Sequence, residues 1–357
     1  MKVMLLTDSF GGGGAERVAS LLINGLASHH ENEVHVCVFL DTPNYKIDMS
    51  QVHFHLLSSH QYPYFFNVLN RIRNLTQVIK DVKPDVICSF GPIMASYVIL
   101  SVKLSGLRRN IKIIASERND PRREPVSDVK KKVRDYCYNR SDVIVCQTQM
   151  AIDLLKERNV NSKFVIIPNP ISPNLPSWEG QNSKEIISAA RLTEQKNLTL
   201  LIDAFNKIHQ NFPDYRLTIY GEGEQRKNLE SYITKKGLES VVCLPGFAKD
   251  IHQKMAHAYM YVSSSDYEGI SNSMLEALGI GLPCVCTDCP VGGARMYIEN
   301  KHSGILIRVN DLEELYCGMK QLIEDKQLAK DISHAARAIT KELTLEKITE
   351  KWIEVTE

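Results

Sequence analysis

No stretch of this 357-residue chain approaches the ~20 unbroken apolar residues that a membrane-spanning helix needs. The start, MKVMLLTDSFGGGG, has only a short apolar run before Asp8, so neither a signal peptide nor a transmembrane helix is expected. Low-complexity tracts and internal repeats are lacking too. With 43% hydrophobic, 24% charged and 7% aromatic residues, the composition excludes disorder, collagen and coiled coil. The nine cysteines are odd in number and sit mostly in apolar runs, as reduced cytosolic thiols do, so a disulfide framework is not expected. Cys284, Cys286 and Cys289 lie close together, but no second CxxC or histidine pair accompanies them. A strand and its following loop is the expected reading there, not a zinc site.

Net charge is small, +1, and a nucleic acid is not among the expected partners. The two halves differ, however. Up to Pro170 there are 22 Lys and Arg against 16 Asp and Glu, and beyond it 21 against 26. Residues 101–140 alone hold 12 basic and 5 acidic side chains, among them Arg108, Arg109, Arg122, Arg123 and Lys130 to Lys132. Such a segment is either a solvated basic face or one that attracts phosphates or an anionic membrane surface.

What is abundant is alternation. MKVMLLT, EVHVCVFL, DVICSF, IKIIAS, DVIVCQT and KFVIIPN read as strands separated by helical patterns such as AERVASLLINGLA. Four prolines between Pro168 and Pro176 interrupt the series, and it restarts with EIISAAR, RLTIYG, VVCLPG, MYVSSS, PCVCTD and GILIRV. Length and pattern together predict two α/β domains in tandem, each a doubly wound parallel sheet: residues 1–170 and 171–343. Such sheets bind ligands outside the carboxyl ends of their strands, so chemistry is sought in the loops after strands.

Three of those loops stand out. The run Gly11 to Gly14 lets backbone approach a ligand and turns the amides of a helix start toward an anion. As a dinucleotide fingerprint it fails, because the third glycine position is Glu16, although Asp41 imitates the ribose-binding acid; a mere tight turn is the other reading. After the first strand of the second half, Arg191 and Lys196 stand five residues apart, a planar fork and a point charge able to bracket a diphosphate. In DYEGISNSMLEALGIGLP, Glu268 falls in the loop after a strand and Glu276 in the following helix. The helix start offers amides and partial positive charge to a phosphate, with Glu276 accepting from ribose hydroxyls and Glu268 from a sugar. The competing reading is a capping box between Ser273 and Glu276.

GGAERV, ARLTEQKN, IYGEGEQRKNLE, the two glutamates seven residues apart in EGISNSMLE, GLPCVCTDCPVGG and SGILIRVND resemble glycosyltransferase family 4 in order and spacing. The likeness is strong over the second half and looser over the first. It implies a GT-B fold, two Rossmann-like doubly wound domains facing a cleft, with the nucleotide sugar held mainly by the second domain and the acceptor by the first. It also implies retention of anomeric configuration. Arg191 and Lys196 would stabilise the departing diphosphate, Glu276 would hold the ribose, and Glu268 would contact the donor sugar. The backbone at Ile270, Ser271 and Asn272 would lie near the phosphates, which Gly13 and Gly14 would approach with their own amides. Gly221, Gly223, Pro245, Gly246 and Phe247 would shape the nucleotide side. The final helix, 344–357, would cross back to the first domain.

Metal-using transferases typically show an Asp-x-Asp pair, which is lacking here, so no metal or other cofactor is expected. Where many relatives carry an acceptor-side histidine, this chain has Glu117, Arg118 and Asn119; Glu117 is the candidate for orienting the incoming hydroxyl, against a surface ion pair with Arg118 or a helix cap. The ERNDP wording resembles bacterial transferases that build capsule, O-antigen or glycan precursors on polyprenyl diphosphate. The expectation is therefore transfer from a nucleotide diphosphate sugar, UDP-linked hexose or N-acetylhexosamine, to a glycan or lipid-linked acceptor in surface polysaccharide biosynthesis. The chain would sit in the cytoplasm, peripheral on the inner membrane. A docking helix is expected in QYPYFFNVLNRIRNLTQVIK, where Tyr64, Phe65, Phe66, Val68, Leu69 and Ile72 stand beside Arg71, Arg73 and Lys80; the alternative is an ordinary helix packed on the sheet. Rival functions are a UDP-sugar epimerase of the same architecture and a two-lobe ligand-binding protein.

Overall fold

The computed structural model describes residues 1–357 apart from 12, 30, 41–44, 46 and 58–63, and apart from the side chains of 64–66. Asp41 and Gly12 therefore lie outside the described residues, as do the side chains of Tyr64, Phe65 and Phe66. The chain divides into two compact units, Met1–Pro170 together with Leu345–Glu357, and Ile171–Thr344.

The first unit is built on seven strands: β1 (Lys2–Thr7), β2 (Glu33–Val38), β3 (Val52–Leu56), β4 (Val86–Phe90), β5 (Lys112–Ser116), β6 (Val143–Cys146) and β7 (Lys163–Ile166). Its helices are α1 (Gly14–Ala27), α2 (Tyr64–Val82), α3 (Pro92–Ser105), α4 (Asp128–Tyr138) and α5 (Gln149–Glu157). The sheet runs β3-β2-β1-β4-β5-β6-β7, with every pairing parallel. Central strands such as β4, VICSF, are buried at every residue, which is why they read as unbroken apolar runs and not as alternation. β3 escaped the sequence reading because its five residues, VHFHL, place histidine at every second position on a half-exposed edge.

The second unit has β8 (Glu185–Ala189), β9 (Arg216–Tyr220), β10 (Val242–Gly246), β11 (Met260–Ser263), β12 (Cys284–Thr287) and β13 (Ile305–Ile307). Around them lie α6 (Leu198–Asn211), α7 (Arg226–Lys236), α8 (Ile251–His257), α9 (Asn272–Ile280), α10 (Leu312–Glu324) and α11 (Lys326–Ala336). Its parallel order is β10-β9-β8-β11-β12-β13. Cys284 and Cys286 belong to β12 and are buried, with Cys289 buried just beyond it. In both sheets the chain winds outward in one direction and then the other, reversing between β1 and β4 and between β8 and β11. At those switch points the loops leaving the carboxyl ends diverge and leave a crevice.

The last helix, α12 (Leu345–Thr356), folds with the first unit. It lies against α1 where Gly25 permits close approach, since a Cβ there would stand 2.3 Å from Thr349 Oγ1. Trp352 is 1% exposed, with its ring 5.6 Å from that of Phe90. Removing so large a buried ring costs about 3–5 kcal/mol. Trp352→Ala is expected to lower stability by that amount in urea unfolding, with hydrogen-exchange protection lost in the first unit and retained in Ile171–Thr344.

Candidate active site

The switch point of the second sheet is where the chemistry-bearing residues collect. The loop leaving β8 carries Arg191, then a short 3₁₀ turn over Glu194–Lys196, then Asn197 in the left-handed region at φ 43° and ψ 49°. The loop leaving β11 carries Ser264 to Ile270 and ends on α9. Polar contacts join the two. The Asp266 amide donates to the Gln195 carbonyl (2.9 Å), the Ser264 hydroxyl to the carbonyls of Lys196 and Asn197 (2.9 and 3.0 Å), and Asn197 Nδ2 to Asp266 Oδ1 (2.8 Å).

Within that frame Lys196 Nζ donates to Glu268 Oε1, an ion pair bridging 72 residues of sequence. Ser265 Oγ donates to the same oxygen (2.9 Å), while Gln195 Nε2 reaches the Tyr267 carbonyl (2.8 Å) and Glu268 Oε2 (3.3 Å). Both partners of the pair are about one-seventh exposed, at 14% and 15% of their side chains. An ammonium has three protons, so Lys196 can hold Glu268 and still present a donor to an incoming anion. The Arg191 guanidinium is exposed and makes no polar contact with any described side chain.

α9 starts at Asn272, with Ser271 as its N-cap: the Ser271 hydroxyl accepts from the Met274 amide (3.4 Å). This corrects the capping-box reading. Ser273 lies inside the first turn, where its hydroxyl meets that of Tyr261 (2.8 Å), so Glu276 is no part of a cap. Glu276 is instead 3% exposed in the second turn, with Oε2 at 2.9 Å from His252 Nε2 on α8. Burial of a carboxylate one turn inside a helix start is tolerable because the helix dipole and the imidazole compensate it.

Gly221 and Gly223, in the loop after β9, are explained by packing. Gly221 has φ +134°, and a Cβ would fall 1.9 Å from the Ala190 carbonyl; at Gly223 it would fall 2.3 Å from that of Leu192. Both let this loop press on the segment that carries Arg191. Gly246 ends β10, Pro245 is exposed, and Phe247 is 47% exposed beside it.

In the first unit, Gly13 N-caps α1. Its amide does not face outward unpartnered: it donates to Glu16 Oε2 (2.6 Å), while Ser9 Oγ donates to Glu16 Oε1 (2.6 Å). Glu16, which defeats the dinucleotide pattern, thus reaches back from the third helical position to hold the helix start, the one half of a capping box that a glycine N-cap allows. Gly14 begins the helix itself.

Glu117, just after β5, is 1% exposed. It accepts from Tyr138 Oη (3.2 Å) and from the amides of Arg118 and Asn119 (3.0 and 3.3 Å), with Arg134 Nη1 3.9 Å away. The surface ion pair and the helix cap are both corrected: the carboxyl points inward and holds its own turn. Arg118 contacts Asn169 Oδ1 and Ser116 Oγ, and its Nε is buried without a partner. Burial pushes the Glu117 carboxyl up to about 7 and pulls Arg118 down to about 10.

Sequence reasoning found Lys196, Glu268 and Glu276 but missed His252, Gln195 and Ser265, the groups that hold them. Only Ser265 had a signal, the serine run SSS before Asp266; nothing in DIHQKM marks His252.

Family comparison adds to this geometry. A model for "Glycosyltransferase Family 4" matches residues 12–175, and one for "Glycosyl transferases group 1" matches residues 177–339. The chain belongs to glycosyltransferase family 4. Among similar proteins, the amylovoran biosynthesis glycosyltransferase AmsD of Erwinia amylovora is 26% identical, over 99% of each chain. The N-acetylgalactosamine-N,N'-diacetylbacillosaminyl-diphospho-undecaprenol 4-alpha-N-acetylgalactosaminyltransferase of Campylobacter jejuni is 27% identical over 97% of each. Among solved structures, Anabaena HepE in complex with UDP and glucose superposes with a TM-score of 0.87 at 20% identity, over 99% of each chain. That likeness establishes the fold as two Rossmann-like parallel-sheet domains of the GT-B type.

The buried Glu117 gives a testable pH signature. Below its ordinary value of 4.5, folded and unfolded chains both hold the proton. Between 4.5 and about 7 only the unfolded chain ionises, so this group's contribution to stability is lost as pH rises across that window. Urea titrations of wild type and Glu117→Gln from pH 4.5 to 7.5 should diverge, wild type losing stability relative to the variant; parallel curves would refute the assignment.

Proposed function

We propose that the chain is a retaining, metal-independent glycosyltransferase. It would move a hexose or N-acetylhexosamine from a UDP-linked donor to a polyprenyl-diphosphate-linked glycan, in bacterial surface polysaccharide assembly. The observation that carries the donor half is the junction of Lys196 and Glu268 beside the start of α9. Glycosyl transfer from a nucleotide leaves negative charge on the departing diphosphate, and fixed donors aimed at that charge are the strongest lever an active site has. Arg191 offers a planar fork, Lys196 a point charge, and the turn Ile270–Ser271–Asn272 a helix start. Two side-chain cations and a helix dipole perform the task that a divalent ion performs elsewhere. Glu276, oriented by His252, receives the ribose hydroxyls, and Glu268 orients the donor sugar. Gly221, Gly223, Pro245, Gly246 and Phe247 shape the nucleotide side. Relatives named for diphospho-undecaprenol and amylovoran chemistry, and a neighbour solved with UDP and glucose, support the choice of donor and acceptor classes.

A panel of nucleotide sugars, incubated with an acceptor-bearing membrane extract in EDTA and read by NMR of the new anomeric centre, tests this reading. Transfer from one UDP-sugar with the donor's anomeric configuration is expected, and loss of one fixed donor in Lys196→Ala should slow it by about 10²–10³-fold. Inversion, or activity that vanishes in EDTA and returns with magnesium, would contradict it. Conversion of free donor to its epimer would favour the epimerase reading.

Attachment to a membrane surface is part of the same proposal, through a surface on α3 and α4. Among the described residues no helix is long and apolar enough to cross a membrane. The expected docking helix, α2, buries Leu75 and Ile79 completely and lays Arg71 over the Phe39 ring; of the side chains expected to dock, Leu69 is exposed, Val68 and Ile72 are half-buried, and those of Tyr64, Phe65 and Phe66 lie outside the described residues. Of the thirteen large hydrophobic side chains exposed among the described residues, seven fall between Ile93 and Tyr136. On α3 and α4, Leu100, Val129, Val133 and Tyr136 line a groove of about 1080 Å³, rimmed by Lys103, Arg108, Lys132 and Arg140. Protein interfaces are poor in lysine, whereas anionic lipid attracts each Lys or Arg by about 1 kcal/mol. Sedimentation with phosphatidylglycerol vesicles, weakened by salt and abolished by Val129→Asp/Val133→Asp, is expected; equal sedimentation of variant and wild type would remove this surface from the proposal.

A further inference from the structure

The transfer reaction makes no use of four side chains at the β2–β3 edge of the first sheet. Glu33 and His35 stand two apart on β2, and His53 and His55 two apart on β3, so each pair shares a face of its strand. The parallel register sets His35 directly opposite His53. As a result the His35 ring lies between two others, 4.7 Å from His53 and 5.3 Å from His55 between centroids, with interplanar angles of 20° and 19°. Glu33 Oε1 is 3.0 Å from His35 Nε2 and 4.0 Å from His53 Nε2. One ligand atom from each of Glu33, His35 and His53 lies within 4.8 Å of the others, and no other group of three or more potential metal ligands converges in this way among the described residues.

We propose that Glu33, His35 and His53 form a zinc-type divalent metal site. Two imidazoles and one carboxylate are a nitrogen and oxygen donor set suited to zinc, and a water would complete a tetrahedron. Zinc bonds of ~2.0–2.1 Å place tetrahedral ligand atoms about 3.3 Å apart. Glu33 and His35 already have nearly that separation, and His53, 62% exposed, has room to swing inward. His35 is 5% exposed and is fixed from behind: its Nδ1 lies 3.0 Å from His55 Nε2, so the outer nitrogen Nε2 is the one turned to the ion. An outer hydrogen bond of this kind is what orients a ligating imidazole and sets its tautomer. Lys2 Nζ stands 3.9 Å from Glu33 and donates to the Val82 carbonyl. The site joins β3, the edge strand, to β2. An ion that binds only the folded chain therefore pins that edge and raises stability by mass action. The inference rests on the first unit alone and is independent of the proposed donor chemistry.

The test uses the full-length chain without an affinity tag, in a Cys243→Ser/Cys317→Ser background that removes the two exposed thiols as competing ligands. Zinc chloride titrated by calorimetry should bind one ion per chain and raise the melting temperature in step. His53→Ala, at an exposed position, should fold normally and lose both effects, and His55→Ala should weaken affinity by about 10–100-fold through loss of the outer hydrogen bond. Zinc binding or stabilisation unchanged in His53→Ala would overturn the site, as would a wild type that neither binds zinc nor melts higher with it.

Discussion

The ion pair between Lys196 and Glu268 is the constraint around which the second unit's site is arranged. It joins loops that leave neighbouring strands at a point where the winding of the sheet reverses, and a crevice there is a property of the topology, not of any one residue. The pair is shielded but not sealed, so neither charge carries the full penalty of an isolated ion in a dry interior. Ser265 and Gln195 also donate to Glu268 and fix its orientation while leaving an acceptor position open. Lys196 is thereby held in place before any ligand arrives, and a preorganised cation loses less freedom on binding than a mobile one.

Charge is divided by position in this site. Arg191 is exposed, Lys196 partly covered, and Glu276 almost fully buried with His252 against it. The gradient runs from solvent at Arg191 to the interior at Glu276. The glycines of the β9 loop belong to the same design: at Gly221 and Gly223 any side chain would collide with a backbone carbonyl of the neighbouring loop, displacing the segment that carries Arg191. Their role is visible as packing, whatever they do for a nucleotide.

Much of the fold was legible because parallel strands buried on both faces leave continuous apolar runs. All six strands of the second sheet could be read from such runs. β3 could not, since an edge strand has one poorly covered side and here carries histidines in alternation. Candidate residues were legible where charged side chains stand in loops after strands, as at Arg191, Lys196 and Glu268. The site was illegible where geometry decides: whether Glu276 caps a helix or faces a histidine depends on a start point two residues earlier or later, and Ser271, not Ser273, turned out to be the cap. Glu117 illustrates the same limit. Its neighbours in sequence are polar, yet the fold turns it inward onto Tyr138, which lies 21 residues away. For α2 the limit is similar, because amphipathic periodicity cannot say which side chains of the helix meet the sheet: Leu75 and Ile79 are buried, while Leu69 is half exposed.

The most direct measurement is a crystal structure of the chain soaked with UDP in the presence of EDTA. The diphosphate should lie at the start of α9 within hydrogen-bonding distance of Arg191 and Lys196, with the ribose hydroxyls on Glu276 and no ion between phosphate and protein. UDP bound away from α9, or bound only through a divalent cation once the chelator is omitted, would contradict the account.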